Sequence, residues 1–442
     1  MLRYCIIVQC ILAASTADHN GFGPGRQDWG LAKVRQGAHM FWWLYYVTNP
    51  GADHYTDRPI VIWLQGGPGA SSSGYGNFEE IGPLDLDLHE RSHTWVKYCN
   101  ILFVDNPVGS GFSYVDDPSL LAKDNDQIAQ DLVTLMKQFY RLFPEFHKTP
   151  LHIFSESYGG KMAVEFAYQL DRAIKEGSID CNLRSVALGA PWISPEDSVL
   201  AWGEFLLNLG FVDTKGYSVI QKAAEGIQDL IRINKTRAAT EIWRSMQQLV
   251  TNETVGIDCY NVLTPQEFTS KALVKNDDEI LEFSEDGHPS LRVARSMDST
   301  DKLKLLMRGP VAASLGIPSR ALWGSQKDKV FEALYEDFMK PATKTVELLL
   351  NNTNVNVIVY TGQLDLVVCT PGTVRWVEKL QWPGSVEYLN APRTGMGYLG
   401  VLEGYAKCYD RLSMYWINRS GHMAPVDNHM AMQYILDKHV RA

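Results

Sequence analysis

Long apolar runs are scarce in this chain of 442 residues. Beyond the N-terminus no uninterrupted stretch reaches the roughly 18 residues that a helix needs to cross a bilayer, so a helical membrane protein is excluded and a soluble mature protein is expected. Basic charge is short too. Lys and Arg number 41 against 51 Asp and Glu, a net charge of −10, and no local basic patch offsets it. Nucleic acid and anionic membrane surfaces are therefore poor partners. Neither Cys-x-x-Cys nor His-Glu-x-x-His occurs, so no metal is expected. Internal repeats, linkers and low-complexity segments are missing, and nothing points to disorder.

What is present is a large core, since 45% of the residues are hydrophobic. Arg3 followed by an apolar run from Cys5 to about Ala14, then Ser15, Thr16 and Ala17, reads as a signal peptide over residues 1–17. Sequons at Asn234, Asn252 and Asn351 agree with a route to the exterior or a lumen; a fourth, Asn418, lies so close to His422 that a glycan would crowd it. Cys5 and Cys10 leave with the signal, and Cys99, Cys181, Cys259, Cys369 and Cys408 remain. In an oxidising compartment these are expected to form two disulfides and one free thiol, with the pairing left open.

The stretch that organises the chain is Leu151-His152-Ile153-Phe154-Ser155-Glu156-Ser157-Tyr158-Gly159-Gly160. A strand-length apolar run, a turn of small residues and a helical pattern are the parts of a nucleophile elbow. Met162, Phe166, Leu170 and Ile174 recur at four-residue spacing, and Gly177 stops the pattern. Upstream, the strand Pro59–Leu64 runs into Gln65-Gly66-Gly67-Pro68-Gly69, which sets bare N–H groups near a strand end, where an oxyanion could be held. A phosphate cradle is excluded, because no Lys-Ser/Thr follows these glycines and no Gly-x-Gly-x-x-Gly opens a helix. Strand-like runs at 101–104 and 355–360 and a helical pattern from Ile128 to Phe143 give the strand-helix order of a mostly parallel sheet covered on both faces. From about 196 to 330 the pattern is helical, an inserted cap that splits the core into 18–195 and 331–442. Such an insertion commonly roofs a site.

Ser157, Asp365 and His422 each stand just past a strand-like run. A serine hydroxyl needs a base, imidazole can take and return the proton, and a buried carboxylate fixes the imidazole's tautomer. The order Ser, acid, His is that of the α/β-hydrolase fold, the fold expected here.

Four motifs in order carry a resemblance: Trp63 to Ser72, Asp105 to Tyr114, Ser155 to Gly160, and Gly421-His422-Met423-Ala424-Pro425. From about Gly37 onward the chain resembles the serine carboxypeptidase family, and within it the retinoid-inducible group. The resemblance implies a serine exopeptidase that releases the C-terminal residue through an acyl-enzyme, without a cofactor. It implies that the N–H groups of Gly67 and Tyr158 form the oxyanion hole. Gln65, Gly66, Glu156 and one of Glu79 and Glu80, with Glu79 favoured, would hold the substrate carboxylate. A carboxylate held by carboxylates requires a proton, so acidic pH should favour the reaction. Met423 would line the pocket of the leaving residue, whereas Gly189, Trp192 and Asp427 read as structural. Gln65 stands where the family has Asn, and Ala70 where it has Cys. Peptide or protein C-termini are the implied substrates, a homodimer the implied assembly, and the lysosomal lumen or the exterior the implied location. Two other readings share the residues: an acyltransferase, and a secreted scaffold that keeps the fold without the chemistry.

Overall fold

Eleven strands build one sheet: β1 (Gln27–Arg35), β2 (Ala38–Tyr45), β3 (Ile60–Leu64), β4 (Asn100–Val104), β5 (Tyr114–Val115), β6 (Pro150–Glu156), β7 (Asn182–Gly189), β8 (Asn356–Gly362), β9 (Thr394–Tyr398), β10 (Val401–Tyr409) and β11 (Leu412–Ile417). This computed structural model describes residues 21–48, 54–265 and 294–441. The expected signal segment lies outside the described residues. Strand order is β1-β2-β4-β3-β6-β7-β8-β11-β10-β9, with β5 on β2. The centre from β4 through β11 is parallel, and both flanks are antiparallel.

Side chains alternate along each central strand, so the apolar runs read in the sequence feed two cores. Ile60, Ile62 and Leu64 enter one, and Val61 and Trp63 the other. On the first face lie α1 (Asn125–Leu142) and α2 (Gly159–Lys175), and on the second Phe78, Ile81 and the terminal helix His429–His439. Asp124 caps α1 by accepting from the Gln127 N–H, a bond worth about 1 kcal/mol. Leu142, the last residue of α1, is 61% exposed.

Between β7 and β8 the described residues form helices and loops but no strand. These include α3 (Pro195–Asn208), α4 (Thr214–Arg232), α5 (Thr236–Thr254) and α6 (Ala294–Leu306). α3 packs on the sheet-side helix Thr370–Lys379: a Cβ on Gly372 would sit 2.7 Å from the Asp197 carbonyl oxygen, and the Trp202 indole donates to the Val367 carbonyl at 3.2 Å. No described helix is long and apolar enough to cross a membrane.

The expected disulfides do not form: all five remaining cysteines are free. Their surroundings differ. Cys99 lies against the Trp95 carbonyl, Cys369 against that of Ser198, and Cys408 beside the Tyr415 hydroxyl.

Candidate active site

The elbow is built from steric necessity. Ser157 follows the last residue of β6 at φ 61°, a left-handed conformation that costs a residue with a Cβ about 1 kcal/mol or more. Neighbouring chain holds it there, since its N–H donates to Gly189 at 2.9 Å and its carbonyl accepts from Trp192 at 2.9 Å. Two close approaches require glycine. A Cβ on Gly66 would stand 2.6 Å from the Glu156 carbonyl oxygen and 2.7 Å from Ser157 Cβ, and one on Gly159 would strike the Leu64 carbonyl.

Strand register gathers the other two residues at the same edge. Glu156 pairs with Gly189, Gly189 with Tyr360, and Gly362 with Ile417, so the carboxyl ends of β6, β7, β8 and β11 lie side by side. Asp365 stands three residues past the end of β8 and His422 five past that of β11. The His422 Nδ1 and Asp365 Oδ2 are 2.8 Å apart, with Asp365 fully buried and His422 3% exposed. The other oxygen of Asp365 accepts from the Val368 N–H at 3.1 Å. His422 Nε2 and the Ser157 hydroxyl carry no hydrogen bond among the described residues. Hydrogen bonds of this kind commonly tighten only when substrate is present.

The His422 loop is held by residues for which the sequence offered no signal. The His422 N–H donates to the Tyr260 carbonyl at 2.7 Å, and the two rings meet edge to face at 5.2 Å. Asp427, read as structural, accepts from the Gly421 N–H at 2.7 Å and from Asn261 at 3.1 Å.

Facing the elbow is a glycine turn whose Gly67 is exposed at φ 110°, while Tyr158 caps the N-terminus of α2. The N–H groups of Gly67 and Tyr158 donate to no acceptor among the described residues. The Gly66 Cβ position lies 3.0 Å from the Tyr158 nitrogen, which brings the turn and the elbow together.

Beside them is a buried cluster of one amide and two carboxyls. The Gln65 Nε2 donates to Glu80 Oε1 and to Glu156 Oε1, each at 2.9 Å, and its Oε1 accepts from the Trp63 indole at 2.7 Å. Period-two spacing along β3 puts Trp63 and Gln65 on one face, a signal that the sequence did carry. Glu79, the favoured member of the adjacent pair, is not in this cluster; Glu80 is. Both sit on a π-helical turn, Ser72–Ile81, that points Glu80 inward and leaves Glu79 half-buried. The Gln65 amide is fully used within the protein, so it has no hydrogen left for a ligand. The two carboxyls hydrogen-bond to each other through the proton they hold, and apart from that contact Glu80 Oε2 and Glu156 Oε2 are buried without a donor.

Burial pushes the Glu80 carboxyl up to about 7, opposed by its hydrogen bonds. Burial, then the Glu80 charge, raises Glu156 well above the carboxylate range. Two carboxyls sharing one amide in a buried place cannot both ionise, so the pair holds a proton near neutrality. Burial also raises Glu79 to about 7, opposed by Arg91. The His422 charge reaches Glu80 and the Asp365 charge reaches Glu156, so the cluster and the His-Asp pair share one electrostatic environment. Met423 is half-buried next to His422 and precedes the short helix Ala424–Asp427. Asn234, Asn252 and Asn351 are exposed; Asn418 is half-buried, with its amide on the Leu402 carbonyl at 3.3 Å.

Comparison with known proteins places the chain in a family. The serine carboxypeptidase family model matches residues 19–442. The retinoid-inducible serine carboxypeptidase of Mus musculus is 43% identical over 410 residues, which is 91% of this chain and 89% of the mouse protein. Serine carboxypeptidase-like 51 of Arabidopsis thaliana is 37% identical over 437 residues, 96% of this chain and 94% of that protein. Among solved structures, Kex1(delta)p, a prohormone-processing carboxypeptidase from Saccharomyces cerevisiae, superposes with a TM-score of 0.77 at 21% identity. That match covers 96% of this chain and 92% of the yeast one, a likeness of fold. The chain belongs to the serine carboxypeptidase family.

Proposed function

We propose that Ser157, His422 and Asp365 carry out the hydrolysis of C-terminal peptide bonds expected of a serine-type carboxypeptidase. The observation that carries this assignment is the buried His422–Asp365 pair at 2.8 Å, at the sheet edge where Ser157 is held at positive φ. In this reading His422 Nε2 takes the Ser157 proton as Oγ attacks the carbonyl of the last peptide bond. Asp365 keeps the proton on Nδ1 and stabilises the imidazolium. The N–H groups of Gly67 and Tyr158 receive the oxyanion. His422 then protonates the departing amino group, and a water activated by the same ring releases the acyl chain.

Glu80 and Glu156 hold the substrate's free carboxylate in this account, with Gln65 and the Gly66 turn orienting them. The buried carboxyl pair supports that role, because the proton it shares can donate to an incoming carboxylate. Peptide kcat/KM should then fall as pH rises above about 7, where Glu80 ionises and a negative charge faces the substrate carboxylate. Met423 contributes an apolar wall for the leaving residue, and the helical segment between β7 and β8 roofs the site and restricts substrates.

The test is release of free amino acids from blocked dipeptides between pH 4.5 and 8.5, with Ser157→Ala as control. Acid-favoured release that drops by about four orders of magnitude in the variant supports the reading. No release from a folded wild type that still reacts with a serine-directed phosphonate refutes hydrolysis and favours acyl transfer. Inertness to both favours a scaffold.

The N-terminal apolar run and the exposed sequons Asn234, Asn252 and Asn351 support a glycosylated product of the secretory pathway, released or lysosomal. Endoglycosidase treatment should lower its apparent mass, and sedimentation would test the homodimer.

A further inference from the structure

Lys161 sits in the first turn of α2 and is 2% exposed. An ammonium is tolerated in such a place only when it is matched. Its Nζ lies 3.0 Å from Asp337 Oδ2 and donates to the Asp337 carbonyl at 2.6 Å. That same Oδ2 accepts from the Tyr158 hydroxyl at 2.7 Å and from Asn125 at 2.6 Å. One carboxylate oxygen thus collects donors from the elbow, from α2 and from the start of α1.

The next residue completes the arrangement. The Phe338 ring lies parallel to that of Tyr158, with centroids 5.8 Å apart, and its carbonyl accepts from the Trp192 indole at 3.0 Å. Trp192 in turn donates its backbone N–H to the Ser157 carbonyl. That carbonyl and the Tyr158 N–H are the two ends of a single peptide group. Asp337 anchors the side chain on one side of it, and Phe338 anchors Trp192 on the other. The orientation of this group decides where the Tyr158 N–H points.

We infer that Asp337, with Lys161 as its counter-ion, is a positioning residue for the reaction: it sets the Ser157–Tyr158 peptide so that its N–H meets the oxyanion. The inference rests on the assignment of that N–H under the proposed function. A buried ion pair contributes little net stability compared with apolar residues of the same volume, so stability alone does not account for it. A rigid peptide plane does, because an oxyanion donor acts only when aligned beforehand.

Three variants test this: Tyr158→Phe, Asp337→Asn, and the neutral pair Lys161→Met with Asp337→Leu. Tyr158→Phe removes only the hydroxyl and keeps the ion pair, so it carries the test if Asp337→Asn does not fold. Expected are a kcat loss of about tenfold for Tyr158→Phe and about a hundredfold for Asp337→Asn, with KM within about twofold of wild type. The neutral pair should regain the wild-type Tm but not its kcat. The phosphonate forms a tetrahedral adduct at Ser157, so its labelling rate should fall in the same proportion as kcat. A change confined to KM, a kcat within about threefold of wild type, or a kcat that recovers together with Tm overturns the inference. Failure of the carboxypeptidase reading looks different: wild type itself then releases no amino acid, and the labelling rates alone decide the positioning role.

Discussion

Two buried polar clusters flank Ser157, and they are built to opposite rules. Around Asp337 nearly every polar atom is used: Lys161, Tyr158 and Asn125 converge on one oxygen, and the Asn125 carbonyl oxygen is left without a partner. Around Gln65 the amide is spent on two carboxyls, whose remaining buried oxygens meet no donor other than the proton the pair shares. The difference separates a cluster matched by an opposite charge from one of like carboxyls, which is the one proposed to receive a ligand.

Breaking the satisfied cluster should do the greater damage to the fold. Asp337→Ala leaves the Lys161 ammonium buried and unmatched, and should cost about 3–5 kcal/mol in urea unfolding. A loss below about 1 kcal/mol would mean that water reaches Lys161 and that the two clusters are not so different. Breaking the other cluster should change function first. In Glu80→Gln combined with Glu156→Gln, no proton is needed, so the fall of peptide kcat/KM above about pH 7 should disappear. An unchanged pH profile would remove these carboxyls from substrate binding.

The same pair predicts a pH dependence of stability with a definite sign. Its folded proton affinity is raised above the ordinary carboxylate value, so the folded state binds more protons than the unfolded chain between about 4.5 and 7. Stability contributed by the pair is therefore lost as pH rises through that window. Wild-type Tm should drop between pH 5 and pH 7.5 by about 2–4 °C more than that of the double variant. Smallest of all is the effect of Glu79→Gln, expected to alter peptide kcat/KM by less than about twofold. A change of tenfold would return Glu79 to the binding site and Glu80 to the packing.

That last contrast marks the limit of sequence reading at this site. Two consecutive glutamates differ only in which way a helical turn points them, and a π-helical turn does not follow the spacing by which helix faces are usually assigned. Gln65 raises the same difficulty: its amide reads as a donor to substrate, but the Trp63 indole orients it toward the two carboxyls. Disulfides were expected from compartment and count, yet the five thiols point into different surroundings, a matter of position and not of number.

The sequence by itself determined the parallel centre of the sheet, the elbow and the carboxyl edge where Ser157, Asp365 and His422 stand. Hydrophobic alternation, small residues at a tight turn and the order of motifs are local properties, and the register of a parallel sheet carries them to one edge. Tertiary structure alone decided which carboxyl faces Glu156, that Asp337 meets Lys161 across 176 residues, and that the Tyr260 carbonyl holds the His422 loop. Such contacts depend on where separate segments come to rest, and no spacing along the chain encodes that.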